Sequence, residues 1–363
     1  MLLLSLVVAA LGCAAGGALG ETTLPPGPRL SFVEAEYPPA KEGRSTAPNR
    51  QPGLLARIVT VDADGRARRV LIGPPSVSLA PIGAPAWSGD GGEIAFAAEA
   101  GPESLGIYRA DADGTGIRAI PAAGHATRPV LSPDGRWVAF ERIRTHTPKI
   151  DPKDPLKSLA HFYLSSTAWI ASVDGGRAHR LTPWGNGRFA TPTSFSPDGS
   201  LLAVTVDTRH KPEAVDLVDV VSGKTRRVEA EAGEAAFSPD GSQIAFSSNR
   251  DHESAPGFDG PVAMAELYVS NADFSGAHRV TRTPELAESL PSWDPGGDRL
   301  AFLRTPDGED FLGLEGEVVE ANVDGTCTKA IAMPKARRKG ANPSLQAPAW
   351  VPGPGRAAGP ISC

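Results

Sequence analysis

The chain has 363 residues and a formal net charge of −6; Gly 40 and Pro 35 make up about a fifth of it, and 40% is hydrophobic. An acidic balance with a pI of 5.7 and no basic stripe argues against nucleic acid as a partner. Disorder would come with fewer apolar residues, and these alternate or run in threes to fives, so many short strands joined by Gly/Pro turns are expected rather than long amphipathic helices.

Residues 2–12 are apolar and lead into small residues around Cys13 and 18–20. As a helix this run spans about 16 Å, against roughly 30 Å for a bilayer core. Residues 1–20 therefore read as an export signal. No Lys or Arg precedes the run. Ala10-Leu11-Gly12-Cys13 resembles a bacterial lipobox, with Ala10 where leucine is usual. Two routes stay open: lipidation of Cys13, the only membrane attachment expected, or cleavage near Gly20. A Pro-rich segment, 21–53, follows, and repeats fill 54–363.

The first repeated phrase is Ile58-Val59-Thr60-Val61-Asp62-Ala63-Asp64-Gly65, running on to Arg69-Val70-Leu71. It is a strand, an Asp/Asn-Gly turn and a second strand. Further copies lie at Ile107-Tyr108 with Asp113-Gly114, Trp169-Ile170 with Asp174-Gly175, Leu217-Val218 with Ser222-Gly223, Leu267-Tyr268 with Asp273, and Val318-Val319 with Asp324-Gly325. The Asp-x-Asp-Gly turns lack the further oxygens of a calcium loop and read as hairpin turns. A second phrase alternates with the first. It begins as Pro85-Ala86-Trp87-Ser88-Gly89-Asp90-Gly91 before Ile94-Ala95-Phe96, and returns at Ser132-Pro133-Asp134-Gly135, Ser196-Pro197-Asp198-Gly199 and Ser238-Pro239-Asp240-Gly241. Trp293-Asp294-Pro295-Gly296-Gly297 is a fifth copy and Pro348-Ala349-Trp350-Val351-Pro352 a stub. Pro presets the first turn position, and Gly accepts the left-handed one.

Two hairpins per unit make a four-stranded sheet. Five whole units and one split between the chain ends predict an all-β fold: a six-bladed β-propeller of four-stranded antiparallel blades. Its ring would be closed by N-terminal outer strands and C-terminal inner strands sharing one blade. The Ser-Pro-Asp-Gly…Ile-Ala-Phe…Asp-x-Asp-Gly pattern, over roughly 54–353, resembles the TolB-like propeller repeat and the non-catalytic propellers of tricorn and prolyl-oligopeptidase-type peptidases. The resemblance implies a propeller alone: 21–53 is too short for the α/β domain that TolB carries, and no chain remains for a hydrolase domain.

Spacing between turn phrases is 44 residues from Trp87 to Leu131 but 64 from Leu131 to Phe195. The surplus falls between second and third strands, at 141–167, 247–265 and 303–316, so three insertions share one face. Repeat proteins place binding loops this way. The candidate partner-binding residues there are Arg142, Arg144, His146, Asp207, Arg209, His210, Arg250, Asp251, His252 and Arg304. A protein or peptide partner is expected on this face or in the central funnel, for an exported binding or scaffold protein of the cell envelope.

No nucleophile motif occurs, and Gly185-Asn186-Gly187 lacks the strand-to-helix setting of a dinucleotide site. No catalytic residue, cofactor or metal is therefore expected. The alternative is a carbohydrate lyase or hydrolase whose His146, His161, His210 and His252 converge in the funnel. Cys327 and Cys363 either form one disulfide or stay free. Lys335, Arg337, Arg338 and Lys339 read as a solvated loop.

Overall fold

The computed structural model describes residues 27, 29–37, 55–79, 84–99, 105–146, 163–185, 187–208, 211–251, 265–306, 316–335, 342–353 and 355–363. They form six antiparallel sheets. Blade 1 joins β1 (Arg29–Tyr37), β2 (Leu55–Asp62) and β3 (Arg69–Ile72) to the last strand, β25 (Asn342–Trp350). Blade 2 holds β6 (Glu93–Glu99), β7 (Leu105–Asp111) and β8 (Arg118–Gly124), with its inner edge in two pieces, β4 (Ser78–Leu79) and β5 (Ala86–Trp87). Blade 3 is β9 (Thr127–Leu131), β10 (Trp137–His146), β11 (Tyr163–Ser172) and β12 (His179–Arg180). Blade 4 is β13 (Arg188–Phe195), β14 (Leu201–Thr208), β15 (Lys211–Asp219) and β16 (Thr225–Ala230). Blade 5 is β17 (Ala232–Phe237), β18 (Gln243–Ser248), β19 (Glu266–Asn271) and β20 (His278–Arg279). Blade 6 is β21 (Leu286–Trp293), β22 (Arg299–Pro306), β23 (Glu317–Asn322) and β24 (Thr328–Ala332).

The turn phrase builds the first hairpin of each whole blade. Ser238 Oγ donates to Asp240 Oδ1 at 2.6 Å and accepts the Gln243 N–H at 2.9 Å. Ser88, Ser132 and Ser196 repeat both bonds. The serine hydroxyl is the main cause that holds these aspartates below their ordinary pKa, Asp240 at about 2. Gly241, at φ +74°, occupies the left-handed position.

The Ile-Ala-Phe strand explains how blades stack. Ile244 and Phe246 face blade 4, packing with Leu217 and Val215, whereas Ala245 faces blade 6 and packs with Trp293 and Phe302. Val138-Ala139-Phe140 and Leu300-Ala301-Phe302 divide in the same way. Both faces of the strand are buried, so it reads as a continuous apolar run. Six apolar clusters result, one for each interface between neighbouring blades, including that of blade 6 with blade 1.

Closure differs from expectation in one strand. The shared blade takes three strands from the N-terminal side and one from the C-terminal side, in the order β25-β1-β2-β3. β1 comes from within 21–53, so the propeller begins at Arg29 rather than at 54. Its Leu30, Phe32 and Val33 are buried, which draws the strand in between β25 and β2.

Candidate functional site

The inner strands carry a repeated irregularity. Arg128, Glu234, Leu290 and Ala347 have φ of 50°, 51°, 55° and 48°, and each lies three residues before the Leu or aromatic that opens the turn phrase. The pairing register shifts at each of them, marking a β-bulge. Blade 4 has Pro192 at this position, and its register shifts there as well. Non-glycine residues held left-handed cost of order 1 kcal/mol or more, and bulges re-aim side chains.

At the end of the propeller opposite the serine–aspartate turns, these bulges assemble a charged cluster from three blades. Arg128 is half-exposed, with Nη1 donating to Thr191 Oγ1 at 3.4 Å and Nε 3.7 Å from Glu141 Oε2. Buried Glu141 also accepts from Thr127 Oγ1 at 3.3 Å and Thr191 Oγ1 at 3.2 Å. Glu234 reaches from blade 5 to blade 6, where its Oε2 accepts the Leu290 N–H at 2.7 Å. Glu213 packs over Gly233. Glu213 as a residue is exposed, but protein crowds around its carboxyl. That crowding, reinforced by Glu234 and Asp207 and opposed by Arg128, raises its pKa to about 7. Burial raises that of Glu234 as well, against the Leu290 N–H, Arg128 and Ser247.

Four of the arginines expected to face a partner, Arg142, Arg144, Arg250 and Arg304, lie over aromatic rings of the chain itself. Arg142 stacks on Trp169 at 4.6 Å and Phe140 at 5.2 Å, and donates to Ala122 O. Arg250 lies over Phe246 and Tyr268 at 4.9 and 4.8 Å, Arg304 over Phe302 at 5.5 Å and Arg144 over Trp184 at 5.4 Å. In three blades an arginine thus caps the core aromatic of its own sheet. Arg250 pairs with Glu229 at 3.6 Å, and Arg304 joins a polar chain along the rim of blades 5 and 6. Asp251 accepts from Tyr268 Oη and from Arg279 Nη1, the latter at 2.9 Å; Arg279 pairs with Glu266 at 2.5 Å. Arg304 pairs with Glu288 at 3.0 Å and Glu317 at 3.6 Å.

Among the described residues, Asp207 is the candidate from sequence that joins the cluster, as a charge beside Glu213. Arg209, His210, His252 and His161 lie outside the described residues, as does the side chain of His146, whose backbone ends β10. Cys13 lies outside them too. Among the described residues no group of three or more His, Cys, Asp or Glu is placed to hold a metal ion. Cys327 and Cys363 are joined, their Cα atoms 5.9 Å apart. Arg128, Glu213 and Glu234 were not singled out from sequence; the signal that marks the first and last is their fixed distance before each turn phrase.

No family model matches the chain. The Tol-Pal system protein TolB of Francisella tularensis subsp. tularensis (strain WY96-3418) is 23% identical over 302 residues, covering 80% of this chain. The match spans only 58% of that relative's length. Among solved structures, TolB from Acinetobacter baumannii superposes with a TM-score of 0.60 at 19% identity, over 90% of this chain and 67% of that one. A putative TolB from Agrobacterium tumefaciens gives 0.55 at 18% identity, over 89% and 99%. The fold is a TolB-like six-bladed β-propeller.

Proposed function

We propose that this chain is an exported, non-enzymatic binding protein of the cell envelope that recognises a protein or peptide segment at the mouth of its axial channel. The observation that carries the reading is the cluster in which, among the described residues, Glu141, Asp207, Glu213 and Glu234 gather about Arg128. Carboxyl groups outnumber guanidinium groups among these residues, and as Glu213 and Glu234 ionise with rising pH the field becomes negative, which favours a segment bearing a lysine or arginine. Similarity to Tol-Pal system proteins and the apolar run at 2–12 support an envelope location, by either processing route at Cys13.

Recovery of partners from envelope extract tests the reading. The Glu213→Gln, Glu234→Gln double variant should retain the fold and lose most of the partner recovered by the unsubstituted chain. Equal recovery would count against the channel mouth as the site.

A further inference from the structure

Beyond β25 the chain leaves blade 1 and turns back over the hairpin-turn face of blade 6. Three polar side chains meet it there, and all of them address its main chain. The Ala358 N–H donates to Asp294 Oδ2 at 3.0 Å, while Arg299 donates to Ala358 O at 2.7 Å through Nη2 and to Gly359 O through Nε. Asn322 holds Ile361 on both sides: its Oδ1 accepts the Ile361 N–H at 2.6 Å and its Nδ2 donates to Ile361 O at 3.0 Å. Asp294 and Asn322 are buried. Arg299 is fixed from behind by Glu320 at 3.0 Å, a fully buried carboxylate whose other oxygen has no partner.

Blade 6 departs from its neighbours where it makes these contacts. Positions held by Asp294 and Arg299 are Ser238 and Gln243 in blade 5, and Ser196 and Leu201 in blade 4. Asp294 replaces the turn serine, because its Oδ1 accepts the Asp298 and Arg299 N–H groups at 2.8 Å each, and its Oδ2, which also accepts the Gly296 N–H at 3.0 Å, takes the Ala358 N–H of the incoming chain. The turn aspartate of other blades is here Gly296, where an added Cβ would lie 3.0 Å from that of Ala357. Side chains that pair with the N–H and C=O groups of a segment recognise extended backbone more than sequence.

We infer that the turn face of blade 6 is a peptide-binding groove, and that residues 355–363 are a ligand carried on the same chain and tethered by the Cys327–Cys363 disulfide. The ligand class is an extended peptide of small residues, and the occupant from outside is the same segment of a second copy of this chain. Opening the tether takes a dithiol reductant. Its thiolate attacks one sulfur of the disulfide and its second thiol resolves the mixed disulfide; two electrons pass to the pair, leaving two cysteine thiols and the oxidised dithiol. The segment then stays linked through β25, at an effective concentration in the millimolar range, and exchange remains slow unless its own contacts are weakened.

The test uses the full chain carrying Ile361→Pro, which removes one N–H donor, and Cys363→Ser. A labelled synthetic peptide of residues 352–363, with serine at its end, is titrated by fluorescence anisotropy. Saturable binding is expected, weakened at least tenfold by a further Asn322→Ala change and undetectable with the oxidised unsubstituted chain. No saturable binding to a folded variant, or binding indifferent to Asn322→Ala, overturns the inference. Should the double variant not fold, hydrogen exchange of the unsubstituted chain decides. The Ala358 and Ile361 amides should exchange at least tenfold faster after dithiothreitol, and unchanged protection overturns it.

Discussion

Protein crowds around the Glu213 carboxyl, with Glu234 and Asp207 nearby, and it titrates near neutrality as a result. Its pKa is raised, to about 7, so its contribution to stability is full below the ordinary carboxylate range and is lost as pH rises through 7. The same ionisation adds negative charge to the channel mouth. Affinity for a segment bearing a basic residue should therefore rise between pH 6 and pH 8, roughly three- to tenfold for one added charge. Glu213→Gln should flatten that rise in a binding titration across the range. Arg142 makes the opposite case. It caps Trp169 and Phe140, so Arg142→Ala should cost about 1 kcal/mol of folding stability in urea melts, through lost stacking and packing. Unchanged stability would return Arg142 to the role of a free partner contact.

In each whole blade the second strand turns two large residues back and the alanine between them forward, which sets the tolerance of the element. Ala245→Leu should push against Trp293 and Phe302 across the blade 5–6 interface and destabilise by about 1–3 kcal/mol, read as a lower melting temperature. The blades were legible in the sequence because a hairpin turn has a local grammar: the serine, aspartate and glycine that make it lie within four residues of one another. β1 was hidden for the same reason. Arg29–Tyr37 adjoins no turn phrase and finds its partners by long-range pairing with 55–62 and 342–350. The charged site was legible only in part. Arg142, Arg250 and Arg304 could be placed near the right end of each blade, but a cation–π contact depends on a strand-3 aromatic some 20 residues away or on the rotamer above its own sheet. Arg128 and Glu234 looked like ordinary strand positions until the bulge turned them toward one another.

The ring is held shut by covalent and non-covalent links across the blade 1–blade 6 seam. β25 pairs with β1, Lys329 reaches Asp64 at 2.9 Å, and the disulfide fastens the trailing segment to blade 6. A cross-link closing a loop of 36 residues is worth about 2–4 kcal/mol. Cys363→Ser should lower stability by that amount in denaturant melts while leaving the far-UV spectrum of the propeller unchanged. The two ends of the channel then differ in kind. One is a floor of short serine–aspartate turns, and the other holds the acidic cluster about Arg128. Site-specific photo-crosslinking in the cell envelope separates them most directly, with the photoreactive residue placed at Thr191 in the mouth or at Val221, which is 95% exposed beside the opposite face. Recognition at the mouth predicts a discrete protein adduct from position 191 and none from 221; an adduct from 221 with none from 191 would contradict it.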